Sequence, residues 1–219
     1  MSAIRISTDL LNLPCHQEGL EPNQVTAYYD KWSADYDKAL SPETYKGPQI
    51  ALEEIMCHVP SHLRSTFRVL DVAAGTGIVG VKLAGAGFRF LDAVEPSSGM
   101  IKILKEKNVY QNIFQIYMGN NDTMIPPDTY NLVVAVGAMA ESHLPINSVD
   151  EMISACKPGG FVIIAMRYEF LHKTEAYRGK LIPYMDGLEE RGCWKMVTKK
   201  LVPNFFCEME GLVLTYRVQ

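Results

Sequence analysis

The sequence predicts an α/β fold: a mainly parallel sheet with helices on both faces. Three observations carry this expectation. From Phe67 onward, short stretches rich in branched apolar residues alternate with stretches of helical spacing, which is the pattern of successive βα units. The first such stretch, Phe67 to Ala73, is apolar enough to be a strand buried on both faces. The chain then closes on two strands instead of another helix. Trp194 to Val202 and Leu212 to Val218 read as a hairpin-like antiparallel end.

The elements follow in order. Met1 to Pro22 carries little pattern and reads as a loose arm, and residues 23–219 read as one domain. Asn23 is placed to cap a helix from about Gln24 to Trp32, and a second helical stretch covers about Lys31 to Leu40. Tyr28, Tyr29, Trp32 and Tyr36 recur at spacings of three and four, so they share one helical face. Such a face ordinarily packs on a core. Pro48 to Val59 is the next helix, with Ile50, Leu52, Ile55 and Met56 on its apolar side. Phe88 to Glu95 is strand two, and Ser97 caps a helix running to about Lys107. Asn112 to Met118 is strand three and Tyr130 to Val136 strand four. After the loop Gly137 to Pro145, a helix begins near Asn147 and ends near Cys156. Pro158 to Gly160 is the turn into strand five, Phe161 to Met166. Arg167 to Thr174 is a further loop at that end, and Thr174 to Gly192 is a helix that Pro183 should kink or break.

Between strand one and its helix lies Gly75-Thr-Gly77. Glycines let the backbone turn tightly there, and free N–H groups of the helix N-terminus converge on the turn. That arrangement suits a polar ligand end. Gly75-x-Gly77-x-x-Gly80, with Glu95 about 20 residues on, also matches the dinucleotide fingerprint. Asp71 argues against a pyrophosphate. Two like charges about 4 Å apart repel by roughly 4 kcal/mol at an effective dielectric near 20. A ligand with a cationic end would gain from the same carboxylate. A second complete dinucleotide-type half is also missing.

Asp71-Val-Ala-Ala-Gly-Thr-Gly77 resembles motif I of the class I methyltransferases that use S-adenosylmethionine. Glu95, at the end of strand two, matches the acidic residue that this family uses for the ribose hydroxyls, with Pro96 after it. Ser97-Ser-Gly-Met100 matches the start of the following helix, which would put Met100 near the adenine. Lys157-Pro-Gly-Gly160 before Phe161-Val-Ile-Ile-Ala165 matches the motif at strand five. Tyr29-Asp-Lys-Trp32-Ser-Ala-Asp-Tyr36-Asp resembles the N-terminal helix of small-molecule methyltransferases. With Val136-Gly-Ala-Met139, the chain looks most like the Williams–Beuren-region methyltransferase-like proteins. The resemblance implies a Rossmann-like seven-stranded sheet of order 3-2-1-4-5-7-6, with strand seven antiparallel. It implies S-adenosylmethionine as cofactor and S-adenosylhomocysteine as product. Tyr29, Trp32, Tyr36, Asp71, Ala73, Gly75, Thr76, Gly77, Glu95, Pro96, Met100 and Val136 would surround the cofactor, with residues 23–47 folding over it as a lid. The family usually places an aspartate directly after the glycine matching Gly119, to contact the adenine amino group. Asn120 stands there, in a loop one residue longer, so Asn120, Asn121 and Asp122 are each candidates.

In open parallel sheets the ligand lies beyond the carboxyl ends of the strands, at the switch point. The acceptor should therefore approach over the loops after strands four and five, which offer Met139, Glu141, Ser142, His143, Arg167, Tyr168 and Glu169, with Tyr28 from the aromatic helix. Glu141 and His143 are the candidate general bases, each equally readable as a solvated loop residue. Arg167 either holds a substrate carboxylate or pairs with Glu169. A net charge of −4 leaves no electrostatic footprint for nucleic acid, and nothing resembling an Asn-Pro-Pro-Tyr motif follows strand four. No apolar run approaches the roughly 18 residues that span a membrane, and Met1 to Pro14 is too weak for a secretory signal. Five scattered cysteines without metal-ligand spacing fit a reduced, cytoplasmic protein. The function expected is methyl transfer to nitrogen, oxygen or sulfur of a small molecule. A protein methyltransferase and a non-catalytic module binding the cofactor or a partner are the alternatives. A closed aromatic pocket would suit a metabolite, and an open groove a peptide.

Overall fold

A computed structural model describes residues 13–16, 19–120 and 124–219. Strands β1 (Arg68–Val72), β2 (Phe90–Val94), β3 (Asn112–Phe114), β4 (Tyr130–Val136), β5 (Cys156–Arg167), β6 (Trp194–Phe206) and β7 (Met209–Val218) form one sheet of order 3-2-1-4-5-7-6. β1 to β5 run parallel, and β7 lies antiparallel to both β5 and β6. The helices are α1 (Pro22–Ala39), α2 (Gly47–His58), α3 (Ser61–Arg64), α4 (Ile78–Gly85), α5 (Ser98–Glu106), α6 (Ser148–Ala155), α7 (Phe170–Lys173) and α8 (Leu181–Glu190). This is the Rossmann-like arrangement expected, with β7 antiparallel.

Side chains alternate across the strands and so feed two cores. Leu70, Val72, Val133, Ile164 and Leu214 pack against α6 and α8 through Met152, Leu181 and Met185. Val69, Leu132, Val134, Ile163 and Val213 pack on the opposite face with Ala51 and Ile55 of α2 and Leu83 of α4. Both faces are covered, which is why the central strands read as nearly unbroken apolar runs.

Several boundaries differ from the sequence expectation, each for a local reason. The two N-terminal helices are one 18-residue helix, α1. It starts at Pro22, not after Asn23, because Glu21 precedes it and donates its N–H to Gln24 Oε1 at 2.8 Å. β3 is only three residues long. The glycine turn at 157–160 lies within β5, as a register shift between the pairs Tyr130–Cys156 and Leu132–Phe161. Pro183 neither kinks nor breaks a long helix. It sits in the first turn of α8, where backbone N–H groups have no intrahelical acceptor. β6 continues past Val202 through Pro203, which an edge strand tolerates.

One buried polar cluster pins α2 to the antiparallel end of the sheet. Glu54 accepts from Thr198 Oγ1 (2.5 Å), Lys200 Nζ (2.5 Å), His58 Nε2 (2.8 Å) and Thr215 Oγ1 (2.9 Å). Burial pushes its pKa up, but these donors outweigh it and hold the carboxyl at about 2. The folded pKa is therefore below the unfolded one. The stabilisation is present above pH 4.5 and is lost as pH falls toward about 2. We expect acid titration over this window to cost on the order of 2 kcal/mol, and Glu54→Gln to flatten that part of the profile in urea melts. An unchanged acid limb in the variant would count against this role.

Candidate active site

β1 ends at Val72, and the chain turns with positive φ at Ala73 (53°), Gly75 (58°) and Gly77 (87°) before α4 begins. The turn aims the Gly75 N–H at Glu95 Oε2 (2.8 Å), while the Ser97 N–H donates to Glu95 Oε1 (2.9 Å). Each carboxylate oxygen thus has one fixed backbone donor and keeps further acceptor capacity. Burial raises the Glu95 pKa to about 7, against the lowering effect of the two N–H donors. The carboxylate lines a cavity that opens beyond the ends of β1, β2 and β4. Met100, Ile116 and Met118 line one part of it, and Ala73, Gly75 and Pro96 line it beside Glu95. Tyr29, Tyr36, Val136 and Gly137 line it as well.

This cavity fits S-adenosylmethionine. Met100 and Ile116 give an apolar slot for an adenine. Glu95 offers acceptors to a ribose diol. The open space at the Gly75 turn, where nothing lies within 4 Å of a Cβ position, admits the amino-acid end.

α1 roofs the cavity and is fastened at two points. Asp30 Oδ1 accepts from Ser97 Oγ (2.6 Å), the Gly99 N–H (2.8 Å) and Ser98 Oγ (3.3 Å). It caps the N-terminus of α5 from another helix. Burial raises the Asp30 pKa, but these donors outweigh it, so the net direction is down. The contact needs glycine at 99, since a Cβ there would lie 2.6 Å from the Asp30 carbonyl oxygen. Asp37 accepts from Thr76 Oγ1 and, at 2.6 Å, from Lys107 Nζ. We expect Asp30→Ala to lose about 1 kcal/mol of lid docking, as for a lost helix cap. Calorimetry should show S-adenosylhomocysteine binding weakened several-fold. An unchanged affinity would mean that closure does not depend on this cap.

A second, smaller cavity lies under the same helix and shares Tyr29, Tyr36 and Gly137 with the first. Leu40, Tyr45, Phe170, Phe205 and Phe206 wall it, together with Trp32 and Arg167. The Arg167 guanidinium lies over Phe170 (4.5 Å) and Phe206 (5.2 Å). Its Nη2 donates to Glu169 and approaches Met209 Sδ at 3.2 Å. Nε and Nη1 are buried with no hydrogen-bond partner among the described residues. An unmet buried donor costs about 1–3 kcal/mol.

Where His143 lines the first cavity, Tyr29 Oη and His143 Nε2 are 2.8 Å apart, and His143 Nδ1 is 2.6 Å from the Glu141 carbonyl. A carbonyl only accepts, so Nδ1 carries the proton and Nε2 accepts from Tyr29. Burial lowers the His143 pKa, which keeps the ring neutral.

Of the residues singled out in the sequence, Tyr29, Tyr36, Ala73, Gly75, Glu95, Pro96, Met100, Val136 and His143 line the first cavity. Arg167 and Trp32 line the second. Asp71 lines neither. Its carboxylate lies beneath the turn and accepts from Tyr110 Oη at 2.5 Å, which in turn accepts from the Gly80 N–H at 3.0 Å. Burial raises the Asp71 pKa to about 7, so its charge is also weakened near neutrality. The Asp71 carboxylate is thus engaged by Tyr110 and does not line the cavity, as the expected repulsion of a pyrophosphate would require. Thr76 and Gly77 also lie outside the cavity lining: Thr76 faces Asp37 of α1, and Gly77 caps α4. Tyr28 packs on Tyr29 and Trp32, and Met139 is fully buried in the core, so neither lines either of these two cavities. Tyr168 stacks edge-on against His172. Glu141 and the exposed Asn120 line an outer cleft beside the first cavity, and the Glu141 carbonyl orients His143. Asn121 and Asp122 lie outside the described residues.

Sequence reasoning missed Asp30 and Asp37, the acids seven apart on the aromatic helix. That spacing was the available signal, since it puts both on one face. It also missed Tyr45, Phe205 and Phe206, which no local pattern links. The backbone brings them together through Lys46 N–H to the Phe205 carbonyl (3.0 Å) and Cys207 N–H to the Thr44 carbonyl (2.6 Å).

Residues 69–160 match the family profile of a methyltransferase domain. The chain is 31% identical over 172 residues to Methyltransferase-like protein 27 of Homo sapiens, covering 78% of this chain and 69% of that protein. It is 26% identical over 148 residues to a demethylmenaquinone methyltransferase of Clavibacter sepedonicus, covering 66% of this chain and 58% of that enzyme. Among solved structures, the 4+2 cyclase SpnF superposes with a TM-score of 0.68 at 13% identity, over 90% of this chain and 96% of that one. At that identity the likeness is one of fold. No helix among the described residues is long and apolar enough to cross a membrane.

Proposed function

The chain belongs to the class I S-adenosylmethionine-dependent methyltransferases, and from this premise we propose that it methylates a small molecule held in the inner aromatic cavity. The observation that carries the reading is the junction of the two cavities at Tyr36 and Gly137, both roofed by α1. The larger space suits the cofactor and the smaller one an acceptor of metabolite size. A peptide would need an open groove, and here the lid closes it.

The cofactor supplies a methyl group already activated on a sulfonium. This chain's residues bind and align. Glu95 accepts from the ribose hydroxyls, and Met100 and Ile116 flank the base. The rings of Tyr29 and Tyr36 face the junction, exclude water and favour positive charge by cation–π attraction. Alignment of this kind can be worth roughly 7–11 kcal/mol, so a base serves only an acceptor that must lose a proton. His143 and Tyr29 are placed for that. The acceptor proton moves to Tyr29 Oη as the Tyr29 proton moves to His143 Nε2, leaving an imidazolium that returns its proton to solvent. The net charge of −4 favours a metabolite over a nucleic acid.

A fold shared with a cyclase does not by itself name a reaction, so release of S-adenosylhomocysteine is the deciding measurement. With methyl-labelled cofactor and a metabolite extract, label should appear in a product of low molecular mass. Label confined to protein or RNA would sink the small-molecule reading. Binding of NAD with no response to S-adenosylhomocysteine would sink the cofactor assignment for this chain.

A further inference from the structure

We propose that the inner cavity recognises an acceptor through a carboxylate, and that Arg167 is the residue that holds it. This deepens the preceding reading and rests on it for the role of the cavity. The ligand class is an apolar or aromatic acid.

The charge balance points to an anion. Glu169 is shared between Arg167 and Lys173, with Lys173 Nζ at 2.6 Å from its second oxygen. Lys173, whose side chain is 74% exposed, thus competes with Arg167 for the one carboxylate that pairs with it. No acidic side chain is found among the described residues lining this cavity. Its hydroxyl groups belong to Tyr29, Tyr36 and Tyr45, whose pKa values are all raised, chiefly by burial, so they stay neutral.

The donor inventory points the same way. Arg167 is 9% exposed, and its Nε and Nη1 have no partner among the described residues. Buried guanidinium N–H groups are ordinarily satisfied, and a carboxylate is the acceptor whose shape and charge match them. Phe170 and Phe206 lie against the guanidinium, fix its plane and give the cavity an apolar wall. An acid docked there would lay its body along the wall that Tyr45 and Phe206 form, toward Gly137, which lines both cavities. Arg167 thus selects and orients the acceptor, while the reacting atom lies at the far end.

The test compares 3-phenylpropionate with its isosteric amide, 3-phenylpropanamide, on the full chain by calorimetry, with and without saturating S-adenosylhomocysteine. The acid should bind at least tenfold more tightly than the amide. In arginine side-chain NMR, the acid alone should shift the Arg167 Nε–H resonance. Arg167→Gln should bring the acid-to-amide ratio to about one, and Arg167→Lys should restore part of it. If Arg167→Gln does not fold, the wild-type ratio and the resonance shift decide alone. Equal binding of acid and amide, or no binding of either while S-adenosylhomocysteine binds, would overturn the proposal. Failure of S-adenosylhomocysteine to bind would instead defeat the cofactor reading, and the acid-to-amide ratio measured without it would still decide this one.

Discussion

Glu95→Ala should bind S-adenosylhomocysteine more weakly by about 1.5–3 kcal/mol, the range for hydrogen bonds to a charged group. That is roughly a 10- to 150-fold loss in affinity. The carboxylate is held by the N–H groups of Gly75 and Ser97 before any ligand arrives, so the ribose meets an ordered acceptor. The wild-type protein should also show a pH dependence. The carboxyl titrates at about 7 when the site is free. A diol donates to the ionised form, so binding favours loss of that proton. Affinity should therefore fall as pH drops below about 7, approaching tenfold per unit. Glu95→Gln should remove this dependence. Asp71 also titrates near 7, but it does not line the cavity and is common to both proteins. A flat wild-type profile, or a Gln variant with the same slope, would place the ribose elsewhere.

Gly137→Ala should reduce kcat/KM by roughly 100-fold, the scale of a misplacement of about 1 Å at the reacting atoms. Gly137 has φ of 69°, which favours glycine, and a Cβ built there lies 2.2 Å from Tyr45 Oη. Tyr45 has little room to retreat, because its ring is packed edge-on against Phe205 and Phe206 at 5.7 and 6.0 Å. The strain falls on the wall that separates the two cavities. S-adenosylhomocysteine affinity should change much less than turnover. If calorimetry shows binding lost in proportion to turnover, Gly137 serves the cofactor and not the junction.

The central fold was legible because its determinants are local and repeated. Strands buried on both faces have no polar alternation to hide, and the glycine turn sits at the strand-to-helix junction where a ligand is needed. Glu95 could be placed because it ends a strand. Asp71 could not be read correctly, since its partner is Tyr110, 39 residues away, and sequence shows a carboxylate without showing what occupies it. The aromatic face of α1 was visible by spacing, yet the acids that fasten it were not, because their partners lie on α5 and at the glycine turn. The inner cavity was the least legible part. Tyr45, Phe205 and Phe206 meet only after β6 returns along β7 and the segment before α2 pairs with it.

A single helix covers two rooms. Tyr29 and Tyr36 of α1 border both cavities, and Asp30 and Asp37 hold that helix down. Loading and release of two different ligands therefore share one doorway and one barrier. On the proposed assignment of the two cavities, spent cofactor and methylated acceptor would leave during the same opening. If that barrier limits the cycle, turnover follows the opening of the roof, and Asp30 and Asp37 set a residence time without lining either cavity.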